Sequence, residues 1–367
     1  MNKNVCFFNS NKAWGGGEKW NHHFSLLLRD KGYNIFVVTN HKSELKNRLK
    51  NEPGITLHSE KIGNLSFLNP VLMGHLKSFF KRNKIQTLIT ALPSDLKSGG
   101  LAARQAGVSR IIYRRGIAVP VKNTFLNRQI FSKIVDRLIV NSHETRRTVL
   151  ANNTNLIDES KIRQIYNGFD VAEFDKAPST RLYTPQNDEI VIGNAARLTP
   201  QKGQKHLIEA AKILKENDLN FKIIIAGSGE METELKNYAD KLDVTDKINF
   251  LGFVKDMKSF HESQDIFCLP SLWEGFGYAL VEAMTLKKPV VGFNISSNPE
   301  VVTDSETGIL VPPKNSESLA EALKKLIIDE NLRKEMGRKA RIKVLENFDT
   351  PLVLNKLIDV IEEPLTI

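Results

Sequence analysis

The sequence predicts an α/β protein of two doubly wound domains, each a parallel sheet covered by helices on both faces. Three observations carry that expectation. Short apolar, β-branched runs alternate with stretches of helical spacing along the whole chain. The alternation restarts near Ile190, after a stretch with two prolines and little periodicity. The length, 367 residues, suits two domains better than one.

In the first half, strands are expected at Val5–Phe8, Asn34–Thr39, Thr87–Thr90, Arg110–Tyr113 and Arg137–Val140. In the second they are expected at Ile190–Gly193, Lys222–Ala226, Ile248–Leu251, Ile266–Leu269 and Pro289–Gly292. These runs are apolar on both faces, as strands inside a parallel sheet must be. Helical spacing lies between them at Gly17–Lys31, Gly203–Asn217 and Met231–Leu242, and the tail Pro351–Glu363 repeats it at Leu352, Leu354, Leu357, Ile358 and Ile361. The proline-bearing stretch reads as a linker over 171–188, between domains at 1–170 and 189–349. Ligands of open parallel sheets bind at the carboxyl ends of the strands, so two such sheets facing each other would enclose a cleft.

Composition excludes several classes. At 41% hydrophobic and 26% charged residues, the chain is neither disordered nor low-complexity. Two cysteines, Cys6 and Cys268, make neither a disulfide framework nor a Cys-rich zinc site, and both sit in strand-like runs as buried thiols would. No His/Cys cluster has zinc-ligand spacing, and no metal is expected. No apolar run approaches the ~20 residues of a membrane span, and the first residues lack an apolar signal core. A cytoplasmic protein is expected. The charge is uneven: residues 1–170 carry 27 Lys/Arg against 11 Asp/Glu, and residues 171–367 carry 25 against 31. A basic half can face nucleic acid, an anionic membrane or an anionic substrate, and charge alone does not choose.

Chemistry concentrates in three places. Trp14-Gly15-Gly16-Gly17-Glu18 follows the first strand. Its glycines let amides approach an anion at a helix start, although a plain strand-to-helix turn explains the pattern equally. It matches neither GxGxxG nor a P-loop. Arg197 and Lys202 follow strand Ile190–Gly193; a planar fork beside a point charge suits a diphosphate, and two solvated surface cations are the alternative. The third is Pro270-Ser271-Leu272-Trp273-Glu274-Gly275-Phe276-Gly277-Tyr278-Ala279-Leu280-Val281-Glu282-Ala283-Met284. Glu274 lies on the loop and Glu282 about 7.5 Å along the following helix, at 1.5 Å per residue. The amides of Gly277–Leu280, at the helix start, are placed to bind phosphate.

The last segment resembles the E-x7-E motif of the retaining family 4 glycosyltransferases, the glycosyl transferases group 1 family, in its form EGFG followed by a helix ending EAM. Other landmarks resemble that family in order and spacing: Asn167-Gly168-Phe169-Asp170 with Phe174, Arg197-Leu198 with Lys202-Gly203, Ala226-Gly227-Ser228-Gly229-Glu230, Phe250-Leu251-Gly252, Pro299-Glu300-Val301-Val302 and Gly308-Ile309-Leu310-Val311. The match is close over 160–345 and general over 1–150.

The resemblance implies a GT-B fold, two Rossmann-like domains facing across a cleft: an acceptor-binding domain at 1–170, with the tail helix at 350–367 packing back on it, and a donor-binding domain at 189–349. It implies that Arg197 and Lys202 hold the diphosphate of a nucleotide sugar, that Glu282 binds the ribose and that Glu274 binds the donor sugar. Amides of Gly275, Phe276, Gly277, Tyr278, Ala279 and Leu280 would serve sugar and phosphate. The base would lie near Gly227, Ser228, Phe253 and Val254, and Gly16 or Gly17 would close over the diphosphate. It also implies a glycan or lipid-linked acceptor and no metal. There are two departures. Where the family often has a His, this chain has Arg114-Arg115, which either faces an anionic sugar or acceptor or is a surface pair. Where the family has two glycines before PEVV, this chain has Ser296-Ser297. The segments Phe67–Lys84 and Lys122–Leu138 mix apolar and basic residues, so they suit either core-facing helices or a peripheral site on an anionic membrane. No nucleic-acid motif is present and no nucleic-acid partner is expected. The rival readings are a sugar-nucleotide epimerase of the same fold and a non-catalytic membrane- or nucleic-acid-binding protein.

Overall fold

A computed structural model describes residues 3–364 and divides the chain into two compact units. The first runs to Gly168 and takes in the segment from Pro351; the second is Phe169–Thr350. Phe169 and Asp349 form an isolated parallel bridge, so the two segments beside the unit boundaries lie next to each other.

The first unit holds seven parallel strands: β1 Asn4–Asn9, β2 Asn34–Thr39, β3 Ile55–Ser59, β4 Thr87–Thr90, β5 Arg110–Arg115, β6 Arg137–Val140 and β7 Ile162–Gln164. Their order is β3-β2-β1-β4-β5-β6-β7. Central β1 shows why the strands read as continuous apolar runs. Val5 and Phe7 pack with Trp20, Phe24 and Leu28 of the helix Gly16–Asp30, while Cys6 and Phe8 pack on the other face with Leu72, Leu76 and Phe80 of the helix Pro70–Arg82. Successive side chains point to opposite faces, and both faces are covered.

The second unit holds six parallel strands: β8 Ile190–Ala195, β9 Phe221–Ala226, β10 Ile248–Gly252, β11 Ile266–Leu269, β12 Val290–Phe293 and β13 Gly308–Val311, in the order β10-β9-β8-β11-β12-β13. Ile192, Ile223, Ile225, Ile266, Cys268 and Val291 share its core with Leu207, Leu214, Leu319 and Leu323 from flanking helices. Cys6 and Cys268 are both free and buried, and burial pushes both thiols well above the ordinary range.

Three strands escape the sequence reading: β3, β7 and β13. All three are edge strands, and β3 and β7 are half-exposed along their length. An edge strand need not be apolar on both faces, and β7 is only three residues long.

The expected linker is corrected. Within 171–188 the chain forms a helix, Val171–Lys176, and docks on the second unit. Lys258 donates to the carbonyls of Asp175 (2.7 Å) and Ala177 (2.5 Å), Arg341 pairs with Asp175, and Ser263 Oγ accepts from the Leu182 amide. Polar anchors of this kind leave no apolar periodicity to read.

The tail helix, Thr350–Glu362, belongs to the first unit, where Val353, Leu354 and Leu357 join the core of Val5 and Phe7. Buried Arg110 donates to the carbonyls of Val360 (2.6 Å), Ile361 and Glu363, so a cation closes the helix C-terminus. Residues 365–367 of the expected tail lie outside the described residues. Among the described residues no helix is long and apolar enough to cross a membrane.

Candidate functional site

Three loops meet at the carboxyl edge of the second sheet. The loop after β8 passes through a tight turn, Pro200–Lys202, and Gly203 opens the helix Gln204–Glu216 at φ +66°. A Cβ on Gly203 would lie 2.0 Å from the Pro270 carbonyl oxygen, so only glycine lets this turn approach the end of β11. Two hydrogen bonds lock the approach: Leu272 N to Gln201 O (2.7 Å) and Gln201 Nε2 to Trp273 O (3.0 Å).

That contact brings together two residues 72 positions apart: Lys202 Nζ donates to Glu274 Oε1 at 2.6 Å. Ser271 Oγ donates to the same oxygen at 2.7 Å, and Glu274 is buried. Ser297 Oγ donates to the Glu274 carbonyl (3.3 Å), while Ser296 takes a left-handed φ of +47°. Serines in place of the two glycines therefore keep the turn, and one of them ties it to the Glu274 loop. Arg197, in the loop between β8 and that turn, is exposed and has no side-chain partner among the described residues.

Gly277, at φ +71°, starts the helix Tyr278–Thr285, and no side chain caps it. The amides of Gly277 and Ala279 have no partner among the described residues, so this helix start can receive an anion. Leu280 departs from the sequence expectation: its amide donates to Gly277 O (2.9 Å) and its side chain is buried. Phe276 is also buried, edge-on to Tyr278 and Phe348. Tyr278, Ala279 and Gly275 are half-buried at the loop. Glu282 lies one helical turn further on, half-buried, with Oε2 3.4 Å from His261 Nε2.

Gly227, after β9, has φ +142°, and a Cβ there would lie 1.8 Å from the Ala196 carbonyl oxygen. Its amide donates to Gly252 O (2.7 Å), and the Leu198 amide donates to Ser228 O (3.0 Å). The turns after β8, β9 and β10 are thus laced together. Phe253 stands 77% exposed at this edge and Val254 is half-buried.

In the first unit, Gly15 precedes the helix Gly16–Asp30 without a side-chain cap, and a Cβ on Gly17 would meet nothing within 4 Å. The sequence reading missed two carboxylates beneath this loop. Glu18 is buried and accepts from Asn9 Nδ2 (3.1 Å). Asp95, fully buried, accepts from the amides of Ser10 (3.2 Å) and Leu92 (3.1 Å) and from the Ser10 hydroxyl, pinning the chain just after β1. Burial pushes the Asp95 carboxyl up to about 7, against the pull of the Ser10 and Leu92 hydrogen bonds. A folded-state value above the unfolded one means the native state holds the extra proton between about pH 4 and 7. The stability difference between wild type and Asp95→Asn is therefore expected to fall as pH rises through that window, by at most ~1.4 kcal/mol per pH unit. It should be level above it. Denaturant titrations of both proteins at several pH values check this.

Arg114 and Arg115 are not a surface pair; both are buried on β5. Arg114 stacks over Trp20 at 4.2 Å and donates to Asn167 Oδ1 (2.6 Å). Arg115 donates to Tyr113 OH (3.1 Å) and to the Val119 carbonyl, bracing the loop after β5. Ser271, Ser297, His261 and Gln264 were also missed as site residues. Ser271 and Ser297 stand inside quoted motifs, but nothing in a linear pattern marks a hydroxyl as buried against a carboxylate. Among the described residues no group of three His, Cys, Asp or Glu side chains could hold a metal ion.

The family model for glycosyl transferases group 1 matches residues 180–343, and the model for glycosyltransferase family 4 matches residues 14–173. An uncharacterised glycosyltransferase of Methanocaldococcus jannaschii is 34% identical over 55% of this chain, which spans about half (54%) of that relative's length. The UDP-Gal:α-D-GlcNAc-diphosphoundecaprenol α-1,3-galactosyltransferase of Escherichia coli is 29% identical over 77% of each chain. A crystal structure of a Rickettsia africae glycosyltransferase superposes with a TM-score of 0.85 at 21% identity, covering 98% of both chains, and shows the shared GT-B fold. With one model matching each half and the motif residues assembled at the edge of the second sheet, the chain belongs to the glycosyl transferases group 1, family 4 glycosyltransferases.

Proposed function

We propose that the protein transfers a sugar, with retention, from a UDP- or GDP-linked donor to a glycan or lipid-linked acceptor in surface-polysaccharide or lipopolysaccharide synthesis. The observation that carries this reading is the Lys202–Glu274 pair, whose loops also carry Arg197, without a side-chain partner among the described residues, and the uncapped start of the helix Tyr278–Thr285. A nucleoside diphosphate leaves as a polyanion. Arg197, Lys202 and the amides of Gly277 and Ala279 supply cations and N–H donors to meet it. Glu274, steadied by Ser271, offers its remaining acceptor capacity to donor-sugar hydroxyls, and Glu282 does so for the ribose. In the step, the acceptor oxygen bonds to the anomeric carbon on the face the diphosphate leaves. The carbon–phosphate-oxygen bond breaks, and the acceptor's proton passes to the departing phosphate oxygen, so no carboxylate nucleophile is required.

The Escherichia coli relative, a UDP-Gal:α-D-GlcNAc-diphosphoundecaprenol galactosyltransferase, supports a uridine-nucleotide donor and a polyprenyl-diphosphate acceptor. The first unit supports a peripheral membrane site: Leu65, Leu68, Val71 and Phe125 are exposed, and Lys61, Lys122 and Arg128 are exposed in the same segments. Labelled UDP- and GDP-sugars supplied with diphosphoundecaprenol-linked GlcNAc test the reading. Lys202-dependent transfer of label to the lipid is expected. Label in the lipid from Lys202→Ala at the wild-type rate, or none with any donor and acceptor tried, would contradict it.

A further inference from the structure

Behind Glu282 lies a buried relay that the motif does not contain. His261, on the helix Met257–Glu262, is fully buried, its ring edge-on to Phe267 at 5.1 Å. Its Nε2 faces Glu282 Oε2 at 3.4 Å, and its Nδ1 faces Gln264 Nε2 at 2.9 Å. Gln264 is itself buried, and its seat exists only because residue 193 on β8 is glycine: a Cβ there would lie 1.3 Å from Gln264 Oε1.

The two contacts favour one ring tautomer. A Gln264 amide donating to Nδ1 leaves the proton on Nε2, aimed at the Glu282 carboxylate. The opposite tautomer would set an Nε2 lone pair against that carboxylate. Gln264 Oε1 is left buried without a partner among the described residues, a cost that a packing role alone does not require. Glu282 Oε1, in contrast, carries no hydrogen bond among the described residues and is left for a ligand.

We propose that His261, held by Gln264, is a positioning residue that fixes the Glu282 carboxylate for the paired hydroxyls of the nucleotide ribose, and so sets the preference for ribonucleotide donors. This rests on the nucleotide-sugar reading above. A carboxylate with one oxygen clamped presents the other in one orientation, so its hydrogen bonds to the ribose are formed without a search among rotamers.

The test is calorimetric titration with UDP, GDP and ADP and with their 2′,3′-dideoxy counterparts. Wild type is expected to bind its preferred diphosphate roughly tenfold or more tighter than the dideoxy form. In His261→Phe that preference should shrink to within about threefold, through weaker binding of the ribonucleotide with dideoxy binding unchanged. His261→Gln, which restores an N–H donor at similar reach, should recover part of it. Should His261→Phe fail to fold, Gln264→Leu, which frees the ring to turn, reads the same preference. Folded His261 and Gln264 variants that keep the full preference would overturn the relay while leaving the donor site standing. A wild type that binds none of the diphosphates would overturn the donor reading itself.

Discussion

Lys202→Ala is expected to lower turnover roughly 10–150-fold, the cost of losing one hydrogen bond to a charged group when it is felt in the transition state. The same substitution should lower stability, because Glu274 is buried and its carboxylate then keeps, among the described residues, only Ser271 as a side-chain partner. Breaking one side of a buried ion pair costs ~3–5 kcal/mol. The two effects can be separated. In Lys202→Met combined with Glu274→Gln no unpaired charge remains, so stability should return towards wild type while turnover stays low. Thermal denaturation and initial rates on the single and double variants check this. Recovery of turnover in the double variant would show that Lys202 acts only by keeping the loop folded.

Gly203→Ala is expected to be strongly damaging to the second unit's site. The residue sits at φ +66°, where a side chain costs ~1–2 kcal/mol, and the new Cβ would lie 2.0 Å from the Pro270 carbonyl oxygen. Backbone cannot yield as a flexible side chain can, so the turn at Pro200–Lys202 must withdraw from β11, taking Lys202 away from Glu274. A loss above ~3 kcal/mol of stability, together with loss of turnover, is expected. Gly17→Ala is the contrast, since its Cβ meets nothing within 4 Å and stability should change by less than ~1 kcal/mol. Unfolding curves for both variants decide the matter, and a Gly203→Ala protein as stable as wild type would contradict the packing described.

The particular residues explain what could be read from the chain. Buried central strands such as β1 and β8 were legible because both faces are covered, which leaves an uninterrupted apolar run. Edge strands β3 and β7 were not, because half of each meets solvent. Arg197, Lys202, Glu274 and Glu282 stood out through the resemblance to a family motif, not through spacing alone. Their supports did not: Lys202 and Glu274 meet through a glycine contact between loops 72 positions apart, and His261 reaches Glu282 from another helix. Nor did the sequence distinguish the buried, braced Arg114 and Arg115 from a surface pair, because burial of a cation depends on partners such as Trp20 and Asn167.

The edge of the second sheet is proposed to bind the diphosphate of a nucleotide sugar. The most direct measurement is calorimetric titration of UDP, GDP and ADP into wild type and into a folded Arg197→Ala, Lys202→Ala double variant. Selective binding of one nucleoside diphosphate by wild type, weakened 100-fold or more in the double variant if each side chain contributes at least roughly tenfold, is the expected result. Equal affinity in the two proteins, or no binding of any diphosphate by wild type, would contradict it.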